Sequence, residues 1–424
     1  MFTVQELVEM PYVSLNKSLH DLMNKMFKDQ ISFLRKLVKT KSANPYTPEY
    51  NNTEDPIERE VADLILEKAN EYGLSYKEVG RTKERANIVI EVGEKDGEHS
   101  LILNTHMDTI VPPKSYSFDP YSGAIKDGRV YGVGAADAKG CIASFFYVGV
   151  LLELLNIQLG GKVVLEFVVD EEPGAISEIG TKYLLQKGIV GDAAIIGEPG
   201  CKIINVGHRG GYRFKLITYG EAIHTGSLMW ERRKRGRNAI IDMIKIINEL
   251  SDLENVLNSV NRNAAKNYLF KDRKIVVTFP AIIRGGENVN VVPSICEAYD
   301  DIRLVPGITK DDIKRAIEKI ERLNVNYELK DLVFVPAVYI PPQEPIVKIL
   351  KKNIIKVMGY IPRIGIAGPW NDGWIFINKG IPTICGFGPI GGGVHGKDEW
   401  VDVVSVKNVT LTLVGTVLDF LGFS

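Results

Sequence analysis

Histidines and carboxylates close several of the apolar runs in this chain. His106 and Asp108 end LILNT, Asp170, Glu171 and Glu172 end VVLEFVV, Glu198 ends AAIIG, and His395 lies just beyond ICGFGPIGGG. One acid at a strand end is ordinarily a solvated cap. A set of them at successive strand ends has the composition of a hydrolytic metal site, because ligands of open α/β sheets gather beyond the carboxyl ends of the strands. His106 and Asp108 are two positions apart, so on extended backbone both face the same way, and a carboxylate beside an imidazole leaves the other ring nitrogen free for a metal. Glu171 and Glu172 are consecutive and should point to opposite sides, one to bind metal and one to act as base. Asp137 follows the glycine-rich turn of YGVGAADAKG, where little bulk blocks a cation. Imidazole and carboxylate donors without thiolates suit zinc first, with cobalt or manganese as alternatives.

These residues need strands to carry them. NIVIEV, SLILNTHMD, KVVLEFVVDEE and AAIIGEP are short apolar runs with helical or turn-rich sequence between them, the alternation of an α/β sheet. A helix is expected after Asp55, with Pro56 in its first turn, Glu58 as the far half of a capping box, and Ile57, Val61, Leu64 and Ile65 on one face. From about Gly207 the texture changes. GYRFKLITYG reads as an edge strand, RNAIIDMIKIINEL as a helix, KIVVTFPAII and SICEAYDDIRLV as strands, and a further helix follows the capping pair Thr309 and Asp312. PIVKILKKNIIKVM, IPTICGFG and VVSVKNVTLTLVGTVLDFLG then return to helix, strand and helix. The expected fold is α/β, an open mixed-sheet α/β/α catalytic domain (1–207 and 333–424) carrying an inserted α+β domain (208–332).

HMD at 106–108, DAKG at 137–140, DEE at 170–172, GEP at 197–199 and VHGKDEW around His395 stand in the order seen in a known family. The chain resembles the metallopeptidases and amidohydrolases that include acetylornithine deacetylase, succinyl-diaminopimelate desuccinylase, aminoacylase and glutamate carboxypeptidase, from KSANP at 41–45 to the last helix. The resemblance implies two divalent metal ions per chain bridged by Asp137, with His106 and Glu198 completing one site and Glu172 and His395 the other. It implies a metal-bound water, Glu171 as general base, Asp108 orienting His106, and a cis peptide between Asp137 and Ala138. It makes the insert a ferredoxin-like lid and dimerisation domain whose His224, in GEAIHTGS, braces the oxyanion in the partner subunit of a homodimer. Asn290 and Arg303 would hold the substrate carboxylate, a task suited to the two-pronged guanidinium. The implied reaction is removal of the acyl group from an N-acyl amino acid; a dipeptidase or carboxypeptidase is the alternative, and a non-catalytic binding protein that kept the fold is a third reading.

Bulk properties agree. A chain of 424 residues exceeds one ordinary core. Fifty-two basic against fifty-three acidic residues leave a net charge of -1, which recruits neither nucleic acid nor an anionic membrane. No basic-then-apolar leader and no uninterrupted apolar stretch of spanning length are visible, so a cytoplasmic protein is expected. Cys141, Cys201, Cys296 and Cys385 are scattered and read as small buried hydrophobes. His20 and His99 read as surface groups and His208 as a hinge residue. The basic run Arg232 to Arg237 reads as a solvated loop or as attraction for an acidic substrate or partner subunit, and Trp370 and Trp374 as pocket lining or packing.

Overall fold

The structure, a computed structural model, describes residues 4–44, 58–94, 99–113, 115–172, 174, 176–261 and 268–423, with side chains from residue 17 onward. The chain divides into two compact units, Met1–His208 with Tyr339–Ala367 and Asn371–Ser424, and Arg209–Val338 with Gly368–Trp370.

In the larger unit six strands run, edge to edge, Tyr76–Gly80, Ala86–Gly93, Gly161–Val168, His99–His106, Ala193–Ile196 and Thr383–Ile384. The first two pairings are antiparallel and the other three parallel, a mixed sheet. His99–His106 therefore lies between two parallel neighbours whose carboxyl ends point the same way. Alternate strand residues serve opposite faces. Val89, Ile102, Val164 and Ala194 join Leu184 and Phe376 in one buried cluster. Leu165, on the other pleat, meets Gly149 of the helix Gly140–Leu154, where a Cβ would stand 2.9 Å from Leu165 Cδ1. The helices Val4–Lys39, Gly140–Leu154 and Val403–Leu421 pack together. Gln30 joins all three, its amide donating to Ala143 O at 3.3 Å and Thr410 Oγ1 at 2.8 Å.

Two helices, Ala135–Leu154 and Val403–Leu421, have the length and apolar composition of a membrane span, although charged residues interrupt both. Their apolar windows are 94% and 61% buried inside the fold, the pattern of core helices covered by neighbours on several sides. The predicted helix after Asp55 is described from Arg59 to Glu71; its proposed start at Pro56 and Ile57 lies outside the described residues. Glu58 does not cap it but is buried, its carboxylate gripped by Arg85. The segment IPTICGFG contributes only the two-residue strand Thr383–Ile384. The four cysteines are buried and free.

The smaller unit orders its elements strand, helix, strand, strand, helix, strand, with the sheet order Val276–Gly285, Ile295–Leu304, Gly210–Tyr219, Tyr327–Val335, all antiparallel. That is the ferredoxin-like arrangement. Gly210–Tyr219 is thus an interior strand, not the edge strand expected. Its alternation of Tyr212, Phe214 and Leu216 inward with Arg213 and Lys215 outward records which face is covered. Alternation carries no record of how many neighbours the strand pairs with. The capping box at Thr309 and Asp312 is present.

Inside the main sheet Glu166 is fully buried, accepting the Asn104 amide at 2.8 Å on one oxygen while the other meets no donor among the described residues. Burial pushes its carboxyl up to about 8. For a carboxyl raised in the folded state, the stability it contributes is complete below its ordinary value and is lost as pH rises towards and through about 8. Glu166→Gln keeps an acceptor for Asn104 and has no proton to lose. It should be more stable than the parent at pH 8, by on the order of a few kcal/mol, with the gain shrinking towards pH 5; thermal midpoints across that range check it.

Candidate metal centre

His106 ends its strand and is buried. Its Nδ1 lies 2.9 Å from the Asp108 carbonyl oxygen and 3.5 Å from the Asp108 carboxylate, so the carbonyl takes the ring N–H. Nε2, the ring nitrogen left to face the site, sits 3.1 Å from Asp137 Oδ1. The tautomer is thus set mainly by Asp108's backbone, where its side chain was expected to do it. The carboxylate holds other groups instead: it accepts the Asn44 amide at 2.7 Å, the Glu172 N–H at 2.9 Å and the Glu171 N–H at 3.3 Å.

The Asp-Glu-Glu segment is a turn rather than the extended backbone expected. Its strand stops at Val168, and Asp170 takes a left-handed φ of 72°. The two glutamates still part company. Glu172 Oε2 lies 3.0 Å from His395 Nε2, which is 3.4 Å from Asp137 Oδ2. Two groups of metal-capable atoms result, His106 with Asp137 and Glu198, and Asp137 with Glu172 and His395; within each, one atom per residue lies within 4.8 Å of the others. Asp137 is common to both, and Glu171 belongs to neither. The Asp137–Ala138 peptide is cis.

The electrostatics call for cations. Burial, then repulsion from neighbouring acids, holds Glu171 and Glu198 well above the carboxylate range. Burial works against a charge on His395, yet its bonds to Asp137 and Glu172 push it up to about 11. Glu172 Oε1 is buried and meets no donor among the described residues. Crowded acids with two imidazoles and an orphaned acceptor fit divalent ions, whose charge would let the carboxylates ionise together.

The other predicted residues lie in the smaller unit. His224 pairs with Val291 as an isolated bridge, and its Nδ1 accepts the Gly226 N–H at 3.0 Å, which places the neutral ring's proton on Nε2. The Asn290 amide nitrogen is 3.5 Å from that Nε2. Arg303 is already engaged: Nε and Nη2 donate to Asp301 at 2.6 and 3.2 Å, and the guanidinium stacks 4.2 Å from the Trp370 ring. Arg213 flanks the same ring at 4.9 Å, so Trp370 is a packing residue here. In the larger unit, Trp374 carries Lys182 at 5.0 Å over its ring. Within the basic run, Arg235 pairs with Glu221, Arg237 with Asp242, and Arg233 stacks on Trp230. His20 and His99 are exposed, and His208 is buried at the end of the strand Ile203–His208.

Sequence reasoning missed the residues that hold the ligands in place. Asp372, fully buried, accepts the Ser177 hydroxyl at 2.7 Å and the Thr181 hydroxyl at 2.5 Å, fastening the loop after Glu172; burial pushes its carboxyl up to about 6. Glu399 accepts three backbone N–H groups of the Asp137 turn. Asp372 stands between the singled-out Trp370 and Trp374, and Glu399 inside VHGKDEW, but only three-dimensional contacts mark them.

The family profile described as peptidase family M20/M25/M40 matches residues 102–419. The succinyl-diaminopimelate desuccinylase of Helicobacter pylori (strain HPAG1) is 26% identical over 326 residues, covering 74% of this chain and 79% of that one. The di-peptidase Dug1p of Saccharomyces cerevisiae superposes with a TM-score of 0.75 at 15% identity, over 96% of this chain and 98% of that one. A dinuclear metal-binding peptidase of the M20 family from Bacillus subtilis superposes with a TM-score of 0.64 at 15% identity, over 94% and 99%. The two structural likenesses show a shared fold.

Proposed function

The chain belongs to peptidase family M20/M25/M40 and is a metal-dependent enzyme that hydrolyses amides, and from that premise we propose that it deacylates an N-acyl amino acid. The observation that carries this is the arrangement around Asp137: two ligand groups share one carboxylate, while Glu171 stands beside them, half-buried and uncommitted to either. The desuccinylase relative supports an N-acyl substrate.

In this reading His106 and Glu198 hold one divalent ion, Glu172 and His395 the other, and Asp137 both; zinc is the first choice, cobalt or manganese the alternatives. Ions held there supply an acidified water and a polarised carbonyl oxygen. Glu171 removes the proton of the attacking water and returns it to the leaving nitrogen. Burial and neighbouring acids raise its carboxyl well above the ordinary carboxylate range, the direction that strengthens it as a proton acceptor. Asp108 holds the two glutamates by their N–H groups, so base and ligand keep their places. The Nε2–H of His224 braces the oxyanion, and Asn290 and Arg303 take the substrate carboxylate, Arg303 by exchanging Asp301 for it.

His224 acts in trans if residues 208–332 serve as lid and dimerisation domain. Exposed Ile241 and Ile244 on the helix Ala239–Leu250, with Ile283 on the edge strand Val276–Gly285, support a second copy docking on this domain. An active monomer in light scattering would remove His224 from the reaction.

A dipeptidase is the second reading, favoured by the likeness to the di-peptidase fold. Metal-loaded protein incubated with N-acetylornithine, N-succinyl-diaminopimelate, other N-acyl amino acids and short peptides should release free amine from an N-acyl amino acid. Turnover of peptides alone selects the second reading. No turnover of any substrate, with less than one ion bound per chain, points to a binding protein.

A further inference from the structure

We infer that Glu399 is the positioning residue of the shared ligand Asp137, holding its backbone so that one carboxylate can serve two metal ions. Glu399 lies four residues after His395 and is 2% exposed. Its Oε1 accepts the N–H groups of Ala136 and Asp137, each at 2.9 Å, and its Oε2 accepts that of Gly134 at 2.9 Å. Three converging N–H groups form an anion-binding concavity, and Gly134 makes it possible. At φ 77° Gly134 turns its N–H inward, and a Cβ there would meet Thr109 Cγ2 at 2.5 Å.

The backbone of Glu399 is fixed as well. Its carbonyl accepts the Gly132 N–H at 3.0 Å, and its N–H donates to the Tyr116 hydroxyl at 3.3 Å. The next residues, Trp400–Asp402, pair antiparallel with Arg129–Tyr131. One short segment thus carries the ligand His395, registers the strand leading into the Asp137 turn, and clamps that turn through the Glu399 side chain. No other type performs the task equally. A carboxylate is acceptor only, whereas an amide would direct a donor at a backbone N–H. An aspartate is one methylene shorter.

The inference rests on Asp137 being the shared ligand, so both claims are tested together on the full-length protein. Metal affinity is measured by chelator competition, and the visible spectrum of the cobalt-loaded protein is recorded, for Glu399→Gln and for Asp137→Asn. Glu399→Gln should bind metal roughly 10–100-fold more weakly, the range for groups that orient metal ligands, with an altered cobalt spectrum. It should lower kcat more than it raises KM, since it touches no substrate. If Asp137→Asn loses metal while Glu399→Gln keeps parental affinity and spectrum, this inference fails and the ligand reading stands. If Asp137→Asn also keeps both ions, the ligand reading itself fails. A Glu399→Gln protein that melts earlier with and without metal by the same amount, at unchanged affinity, reduces Glu399 to a structural residue and overturns the inference. Should Glu399→Gln not fold, Glu399→Asp carries the same test, with weaker metal binding expected and parental binding overturning.

Discussion

Glu171→Gln should keep its metal ions and lose between about two and four powers of ten in kcat, the usual contribution of a general base. The substitution is close to isosteric, and Glu171 contributes no atom to either ligand group, so metal content should match the parent. Its N–H still reaches the Asp108 carboxylate, which keeps the turn in place. What disappears is the proton acceptor. KM should change little, because the groups proposed to hold substrate are elsewhere. Metal analysis and steady-state kinetics on one preparation decide the matter: a near-parental rate removes the base role, and lost metal would make Glu171 a ligand.

The chemistry of this site was legible because strand ends expose it. The apolar runs announced the sheet; His106 ends one of its strands, and Glu198 and the Asp-Glu-Glu segment follow two others. Other features lay beyond the reach of a linear pattern. Period-two alternation cannot report Asp170's left-handed turn, because that conformation depends on where the Asp108 carboxylate draws the Glu171 and Glu172 N–H groups. Gly210–Tyr219 reads as amphipathic whether it has one neighbour or two. The apolar segment Ala135–Leu154 resembles a membrane span only because the sheet and other helices cover it. Arg303 looked available from its type, yet Asp301, two residues before it on the same strand face, already binds it. Glu399 is harder still: its partners are more than 250 residues away in sequence and are backbone N–H groups, which no side-chain pattern records.

The shared position of Asp137 has a consequence that separates it from every other ligand. His106 and Glu198 appear in one group only, as do Glu172 and His395, but Asp137 appears in both. Glu198→Ala should therefore cost one ion and leave the other site with its three residues, and Glu172→Ala should do the reverse. Asp137→Ala should cost both, and with them essentially all turnover, because each remaining pair of ligands is too few to hold a divalent ion with its usual affinity. The difference is also readable without any substrate. A ligand that binds only the folded state stabilises it by about 2.7 kcal/mol at a concentration one hundred times its Kd. Added metal should raise the melting temperature of the parent most, of Glu198→Ala and Glu172→Ala less, and of Asp137→Ala not at all. Equal losses for all three variants would mean that the two groups are not joined through Asp137, and a metal-stabilised Asp137→Ala protein would mean that the ions bind elsewhere.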